Sequence, residues 1–260
     1  MKAGRAPAPA GRPAEGDRLD AVSFARDTDP PVRGFLHWPE TAARPHADAI
    51  VLTHGAGSNC QAPLLTSIAK ALAEGGITVL RCDLPYRQRR PHGPPFPGEA
   101  ARDREGLRHA VEAVREHCDA AGARDRVVGT PGHAPLRRIF IGGHSYGGRQ
   151  ASMLAAEDPN IASGLLLTSY PLHPPGQPSR LRTDHFPSLR ADALFVHGAR
   201  DPFASTEELE QALRLIPART LLLEVEGAGH DLRGSKRTAG ETADATPLPQ
   251  RILKAFLGFF

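Results

Sequence analysis

From about residue 47 onward, short apolar runs alternate with segments of helical periodicity, and few folds accommodate this alternation. Buried strands joined by amphipathic helices form a mostly parallel sheet with helices on both faces. The runs that predict strands lie at residues 49–55, 77–82, 137–143, 164–169, 192–198 and 220–227. The sequence therefore predicts an α/β fold with a doubly wound, mostly parallel sheet.

The segments between these runs carry the apolar stripes of core-facing helices. PLLTSIAKALAEGG ends in a glycine pair typical of a helix C-cap, and EAARDREGLRHAVEAVREHC repeats the same apolar spacing. A third helix is predicted to begin near Gly148. Upstream, VRGFLHWPE (32–40) predicts an antiparallel edge strand that Pro39 ends, and residues 119–136 predict a surface connection.

Length and apolar content predict a single domain without a membrane-spanning segment. The 260 residues suit one large α/β domain, expected over residues 19–260. The first 18 residues are mainly alanine, proline, glycine and charged residues, which predicts a disordered tail. No apolar run approaches the ~20 residues that a transmembrane helix needs, so we expect a soluble protein with no membrane partner.

Charge and cysteine content argue against several other classes of protein. The net charge is +3 and aromatic residues make up only 5% of the chain, so neither a basic surface nor stacking platforms for nucleic acid are indicated. Cys60, Cys82 and Cys118 show no CxxC spacing, which argues against a disulfide framework and a zinc site. We therefore expect a cytoplasmic protein with no metal, no cofactor and no nucleic-acid partner.

The stretch IGGHSYGGRQ (141–150) places Ser145 between close glycines, directly after a predicted strand. Glycines two residues before and after a serine let a strand and a helix meet at a sharp turn that exposes the hydroxyl. The serine also precedes a predicted helix, whose unpaired N–H groups favour developing negative charge. The pattern is typical of a nucleophile that attacks a carbonyl, whereas a glycine-rich turn alone would need no following helix.

A nucleophilic serine needs a base to take its proton and a carboxylate to orient that base. In this fold the chain order is serine, acid, histidine. Asp201, in VHGARDPF, follows a predicted strand, although it also suits an Asp-Pro turn or a helix N-cap. His230, in EGAGHDL, is the only histidine beyond both Ser145 and Asp201. Asp231 is the second choice of acid, because adjacent side chains usually point apart.

The remaining requirement is a pair of backbone N–H groups that stabilise the oxyanion of a tetrahedral intermediate. One should be the amide of Tyr146, the residue after the serine. The other should come from the loop THGAGSN (53–59), where Ala56 is the first choice and Gly57 the second. Small residues there admit a substrate, although a tight turn after a strand would also favour glycine.

In chain order, HGAGSN, GGHSYGG, GARDPF and GAGHDL resemble the motifs of the α/β-hydrolase superfamily, over about residues 33–260. RCDLPYR (81–87) and SYPLHPPGQPSRLRTDHFP (169–187) are similar to a small dienelactone-hydrolase-related group, which includes bacterial hydrolases and eukaryotic chromatin-associated relatives. The resemblance implies a triad of Ser145, Asp201 and His230. Dienelactone hydrolase itself is similar only in part, because its nucleophile is a cysteine where this chain has Ser145.

These residues predict a serine hydrolase that cleaves a carboxylic ester or related acyl bond of a small molecule through an acyl-enzyme. Only about 20 residues separate two of the predicted strands, at 164–169 and 192–198, too few for a large cap domain. An open site of this kind suits small or extended esters. The alternative is a non-catalytic protein that keeps the fold as an interaction scaffold. The acyl group, the leaving group and the oligomeric state stay open.

Overall fold

The computed structural model describes residues 21–39, 48–128, 136–233 and 246–260, with the side chains of 121–128 excepted. The predicted tail at 1–18 lies outside the described residues. The strands are β1 (Val22–Arg26), β2 (Val32–His37), β3 (Asp48–Thr53), β4 (Thr78–Cys82), β5 (Arg138–His144), β6 (Gly164–Thr168), β7 (Asp192–Gly198) and β8 (Thr220–Val225). The helices are α1 (Pro63–Glu74), α2 (Pro85–Arg89), α3 (Ala100–Val128), α4 (Tyr146–Glu157), α5 (Thr206–Leu213) and α6 (Leu248–Phe259).

The described strands form one sheet in the order β1-β2-β4-β3-β5-β6-β7-β8. From β4 to β8 in this order every neighbouring pair is parallel, which confirms the predicted α/β architecture. The prediction that residues 32–40 form an edge strand was wrong: β2 is antiparallel but lies inside the sheet, between β1 and β4. Strand β1 was not predicted because its side chains are mostly exposed and give no apolar run.

Alternate residues of each central strand face opposite sides of the sheet and build two apolar cores. In β3, Val51 belongs to the core on one side, to which α3, α4 and α5 also contribute. Ile50 and Leu52 belong to the core on the other side, which includes Ile68 of α1 and Phe256 of α6. Burial on both faces explains why the central strands read as continuous apolar runs in the sequence.

Two helix boundaries differ from the sequence prediction, and helices α2 and α6 were missed. Helix α3 continues to Val128, so the first part of the predicted connection at 119–136 is helical, while residues 129–135 lie outside the described residues. A single interior Gly122 costs only about 1 kcal/mol and does not end a helix of this length. Helix α4 begins at Tyr146 rather than near Gly148. Helix α6 was not predicted, although Pro249 in its first turn is a typical start signal.

The sheet order also determines where a ligand site can form. Strand β4 pairs with one edge of β3, and the next strand along the chain, β5, pairs with the other edge. The connections that follow β3 and β5 therefore run in opposite directions along the sheet. This switch point opens a crevice at the carboxyl ends of the two strands. No described helix is both long enough and apolar enough to cross a membrane.

Candidate active site

Ser145 occupies a sharp corner between β5, which ends at His144, and α4, which begins at Tyr146. Its backbone has φ 51° and ψ −116°, a conformation that costs a residue with a side chain on the order of 1–3 kcal/mol. Neighbouring hydrogen bonds hold this corner: the Ser145 N–H donates to Thr168 O at 2.9 Å, and the Arg149 N–H donates to Ser145 O at 3.0 Å. The corner therefore keeps the Ser145 hydroxyl at the carboxyl end of the sheet.

Glycine is required at this corner because backbone approaches it from two sides. A Cβ atom at Gly147 would lie 2.6 Å from His54 O, and its N–H donates to the same carbonyl at 3.1 Å. A Cβ atom at Gly143 would overlap the carbonyl of Thr53. These close approaches join the serine corner directly to the end of β3 and to the loop that follows it.

Replacing Gly147 by alanine should therefore destabilise the fold and distort the corner together. We expect Gly147→Ala to lower the free energy of unfolding by about 1–3 kcal/mol, the usual cost of overpacking. Gly258→Ala is the matched control, because nothing lies within 4 Å of a Cβ atom there. Urea denaturation of both variants checks the prediction, and equal stabilities would contradict it.

His230 connects the serine to a carboxylate. Its Nε2 lies 2.8 Å from Ser145 Oγ, and its Nδ1 lies 2.7 Å from Asp201 Oδ2. An ionised carboxylate can only accept hydrogen bonds, so the proton of the neutral imidazole lies on Nδ1. Nε2 then accepts the hydrogen bond from the serine hydroxyl. The structure thus brings together Ser145, Asp201 and His230, the three residues that the sequence singled out.

The Asp201 carboxylate is held in place, whereas Asp231 points elsewhere. The Asp201 side chain is fully buried, and its second oxygen accepts the Phe203 N–H at 2.9 Å. Asp231 is exposed and accepts the Arg233 N–H at 3.1 Å. Of the two candidate acids, only Asp201 lies within hydrogen-bonding distance of His230.

Two rings that the sequence reasoning missed lie against the His230 imidazole. The Phe203 ring centroid is 4.2 Å away at 34°, and that of His144 is 5.2 Å away. Burial, reinforced by the neighbouring His230, lowers the pKa of His144 to about 4. His144 therefore stays neutral near pH 7. Both rings lie inside the motifs GHSYG and GARDPF, and this position was the only signal for them in the sequence.

The loop after β3 lies beside Ser145 and supplies backbone N–H groups. A Cβ atom placed on Gly55 would be 3.5 Å from Ser145 Cβ. Ala56 is half-buried and Gly57 is exposed. In the described part of the chain, neither their amides nor that of Tyr146, the first residue of α4, donate to a backbone acceptor. Among the described residues, the N–H groups of all three predicted oxyanion donors therefore have no backbone partner.

His54 precedes this loop and is completely buried. Its Nδ1 lies 3.0 Å from Gly55 O, and its Nε2 accepts the Leu84 N–H at 3.1 Å. Burial lowers the pKa of His54, so the ring stays neutral, with its proton on Nδ1. The histidine of HGAGSN thus braces the loop and is not a second base.

The segment between β6 and β7 adds no cap domain. Residues 169–191 form turns and one short 3₁₀ segment, Phe186–Ser188. Phe186 and Tyr170 pack into the core below the sheet edge. The expectation that this connection is too short for a large cap is confirmed.

Comparison with known proteins adds independent information about fold and family. Residues 46–257 match a family model described as "Alpha/beta hydrolase domain". Over 129 residues the chain is 31% identical to a protein of Escherichia coli K12 named putative carboxymethylenebutenolidase, a match that covers 46% of each chain. The chain thus spans about half the length of the curated relatives it matches.

Solved structures show the same fold at low sequence identity. Dienelactone hydrolase of Anabaena variabilis matches with a TM-score of 0.63 and 20% identity, over 92% of this chain and 98% of that one. An α/β serine hydrolase without a lid from Xanthomonas campestris matches with a TM-score of 0.61 and 18% identity, over 82% and 87% of the two chains.

Proposed function

The chain belongs to the α/β hydrolase family, and we propose that it is a serine hydrolase that cleaves small carboxylic esters or related acyl compounds. The resemblance to dienelactone hydrolases that the motifs indicated is confirmed at the level of family and fold. The nucleophile, the acid, the base and the oxyanion donors are part of the proposal. The observation that carries it is the continuous chain of hydrogen bonds from Ser145 Oγ through His230 to Asp201.

In the first half of the reaction, Ser145 Oγ attacks the acyl carbon while its proton moves to His230 Nε2. The carbonyl oxygen becomes negative and is stabilised by the N–H groups of Tyr146 and Ala56, with Gly57 as the alternative to Ala56. Asp201 stabilises the imidazolium through Nδ1–H. The tetrahedral intermediate then collapses: the bond to the leaving alcohol breaks, and the alcohol takes the proton from His230.

In the second half, water replaces the alcohol. His230 accepts a proton from the water molecule, and the resulting hydroxide attacks the acyl carbon of the ester on Ser145. Collapse of the second tetrahedral intermediate releases the carboxylic acid and returns the proton to Ser145 Oγ. No redox step is involved, so the proposed reaction needs no cofactor.

The proposed substrate class rests on the open site and on the names of relatives. Dienelactone hydrolase and putative carboxymethylenebutenolidase are named for lactones, which are internal esters. The connection at residues 169–191 forms no cap domain, which supports an open site for small or extended esters. The three cysteines are buried and form no disulfide within the described part of the chain, which supports a cytoplasmic location as a further part of the proposal.

A panel of p-nitrophenyl esters from acetyl to decanoyl tests the proposed function. We expect turnover to be highest for the short acyl chains and to fall with acyl length. Turnover of none of the esters, in a preparation whose circular dichroism shows the folded protein, would favour the non-catalytic scaffold instead.

The pH dependence should show a single protonation step on its acid side. His144 is neutral above about pH 5 because its pKa is lowered to about 4, so it adds no second step near neutrality. The proposed base must be neutral to accept the serine proton, so kcat/KM should fall as acidity protonates it. We expect His144→Gln to keep the position of this acid limb. A profile without an acid limb, or a limb that moves in His144→Gln, would contradict this assignment.

A further inference from the structure

The carbonyl groups of Gly55 and Ala56, in the loop after β3, each lie within hydrogen-bonding distance of more than one donor group. Gly55 O accepts the Ser58 N–H at 3.0 Å and lies 3.0 Å from His54 Nδ1. The hydroxyl of Tyr86 lies 3.2 Å from Gly55 O and 2.9 Å from Ala56 O. Tyr86 itself is completely buried, so this hydroxyl has no access to bulk water.

A second side chain from the same motif, RCDLPYR, holds the loop next to Tyr86. Arg87 Nη2 donates to Ala56 O at 3.0 Å, and Arg87 Nε donates to Ser58 O at 2.6 Å. Arg87 also donates to the carbonyls of Arg90 and Gly93. Arg87 as a whole is only 5% exposed, so its guanidinium donates mainly to backbone carbonyls and not to solvent.

Holding these carbonyls determines where the neighbouring N–H groups point. In a planar trans peptide the C=O and N–H bonds are antiparallel. The Gly55 carbonyl therefore orients the Ala56 N–H, and the Ala56 carbonyl orients the Gly57 N–H. Glycine at 55 and at 57 leaves this part of the backbone free to rotate, so its orientation depends on the donors that hold the carbonyls.

The same tyrosine is linked to the other proposed oxyanion donor. Asp103 is completely buried; its Oδ1 accepts the Tyr86 N–H at 3.0 Å, and its Oδ2 accepts the Tyr146 hydroxyl at 2.7 Å. The Tyr86 and Tyr146 rings meet edge to face at 5.7 Å. A single buried carboxylate thus joins the residue that holds the loop to the residue that follows Ser145.

We propose that Tyr86 and Arg87 are positioning residues for the oxyanion hole, and that Asp103 couples them to Tyr146. They touch no reacting atom: they act by fixing the peptide units that present the Ala56 and Gly57 N–H groups. This inference rests on the proposed function, because it needs Ser145 to form a tetrahedral intermediate beside this loop. It assigns two residues of the motif RCDLPYR, Tyr86 and Arg87, a role in the site.

Tyr86→Phe tests the inference because it removes the hydroxyl and keeps the ring. We expect kcat on p-nitrophenyl acetate to fall roughly 10-fold with KM little changed, a part of the 10²–10³-fold loss that removal of a whole oxyanion donor causes. Tyr170→Phe is the matched control. Tyr170 is equally buried, and its hydroxyl donates to a backbone carbonyl, that of Arg182, at 2.8 Å. The control should keep kcat while losing a similar amount of unfolding free energy.

The rate of phosphonylation of each variant by a fluorophosphonate gives a second readout that needs no substrate. The adduct places an oxygen in the oxyanion hole, so Tyr86→Phe should slow the reaction roughly 10-fold and Tyr170→Phe should not. Arg87→Lys keeps the charge but cannot donate to both Ser58 O and Ala56 O as the guanidinium does, so it should also react more slowly. This second variant keeps the inference testable if Tyr86→Phe fails to fold.

The outcomes separate this inference from the proposed function. Equal phosphonylation rates in wild type, Tyr86→Phe and Arg87→Lys would overturn the positioning role and leave the proposed function intact. An equal loss of kcat in Tyr170→Phe would also overturn it, since any buried tyrosine hydroxyl would then have the same effect. Failure of the wild type to react at all contradicts the proposed function itself.

Discussion

Ser145→Ala is expected to abolish ester hydrolysis and to leave the fold intact. The substitution removes the only atom that attacks the acyl carbon, and loss of a triad serine costs about 10⁴-fold or more in kcat. The strained backbone at Ser145 is held by hydrogen bonds to main-chain atoms of Thr168 and Arg149, which alanine keeps. The free energy of unfolding should therefore change by less than about 1 kcal/mol.

Initial rates on p-nitrophenyl acetate, measured together with a urea denaturation curve, check this prediction. Ser163→Ala is the matched control, because Ser163 is exposed and its backbone N–H donates to Ile139 O without help from the hydroxyl. The control should behave as wild type. Turnover by Ser145→Ala above about one hundredth of the wild-type rate would exclude Ser145 as the nucleophile.

Asp201→Asn should reduce kcat by about 10⁴-fold, the loss that the corresponding change causes in a serine protease. The amide NH2 group of asparagine would donate to His230 Nδ1, which favours the tautomer with its proton on Nε2. In that tautomer Nε2 cannot accept the proton of the serine hydroxyl. The change keeps the size of the side chain, and its oxygen can still accept the Phe203 N–H. The loss should thus appear in kcat with a folded protein.

Asp231→Asn is the matched control for Asp201→Asn. Asp231 is adjacent to His230 in the chain and carries the same negative charge as Asp201. Its carboxylate, however, contacts Arg233 and solvent. We expect its kcat within about twofold of wild type. Measuring both variants on one activated ester decides between the two acids: greater damage in Asp231→Asn would move the acid to the neighbouring position.

The parts of the fold that could be predicted from sequence are those whose residues are buried on both faces. Strands β3 to β8 gave apolar runs of the expected length, although β8 is only partly buried. Strand β1 could not be found in this way because four of its five side chains are exposed. Helix α3 was predicted too short because its continuation to Val128 is polar and alanine-rich, with no apolar stripe to mark it.

The same distinction applies to the site. Ser145, Asp201 and His230 follow strand ends in a fixed order, so motif spacing alone indicated them. The contacts of Tyr86 could not be predicted, because they join residues 17 and 31 positions apart that meet only when the sheet has formed. Phe203 lies within a recognised motif, yet only the fold shows that its ring covers His230.

The central claim is that Ser145 is an activated nucleophile, and covalent labelling tests it most directly. The protein is incubated with a fluorophosphonate at pH 7.5, and the adduct is located by intact-mass measurement and peptide mapping. The account predicts one adduct per chain, on the peptide that contains Ser145, with none in Ser145→Ala and a strongly reduced rate in His230→Ala. A wild-type protein that stays unlabelled, or an adduct on another serine, would contradict it.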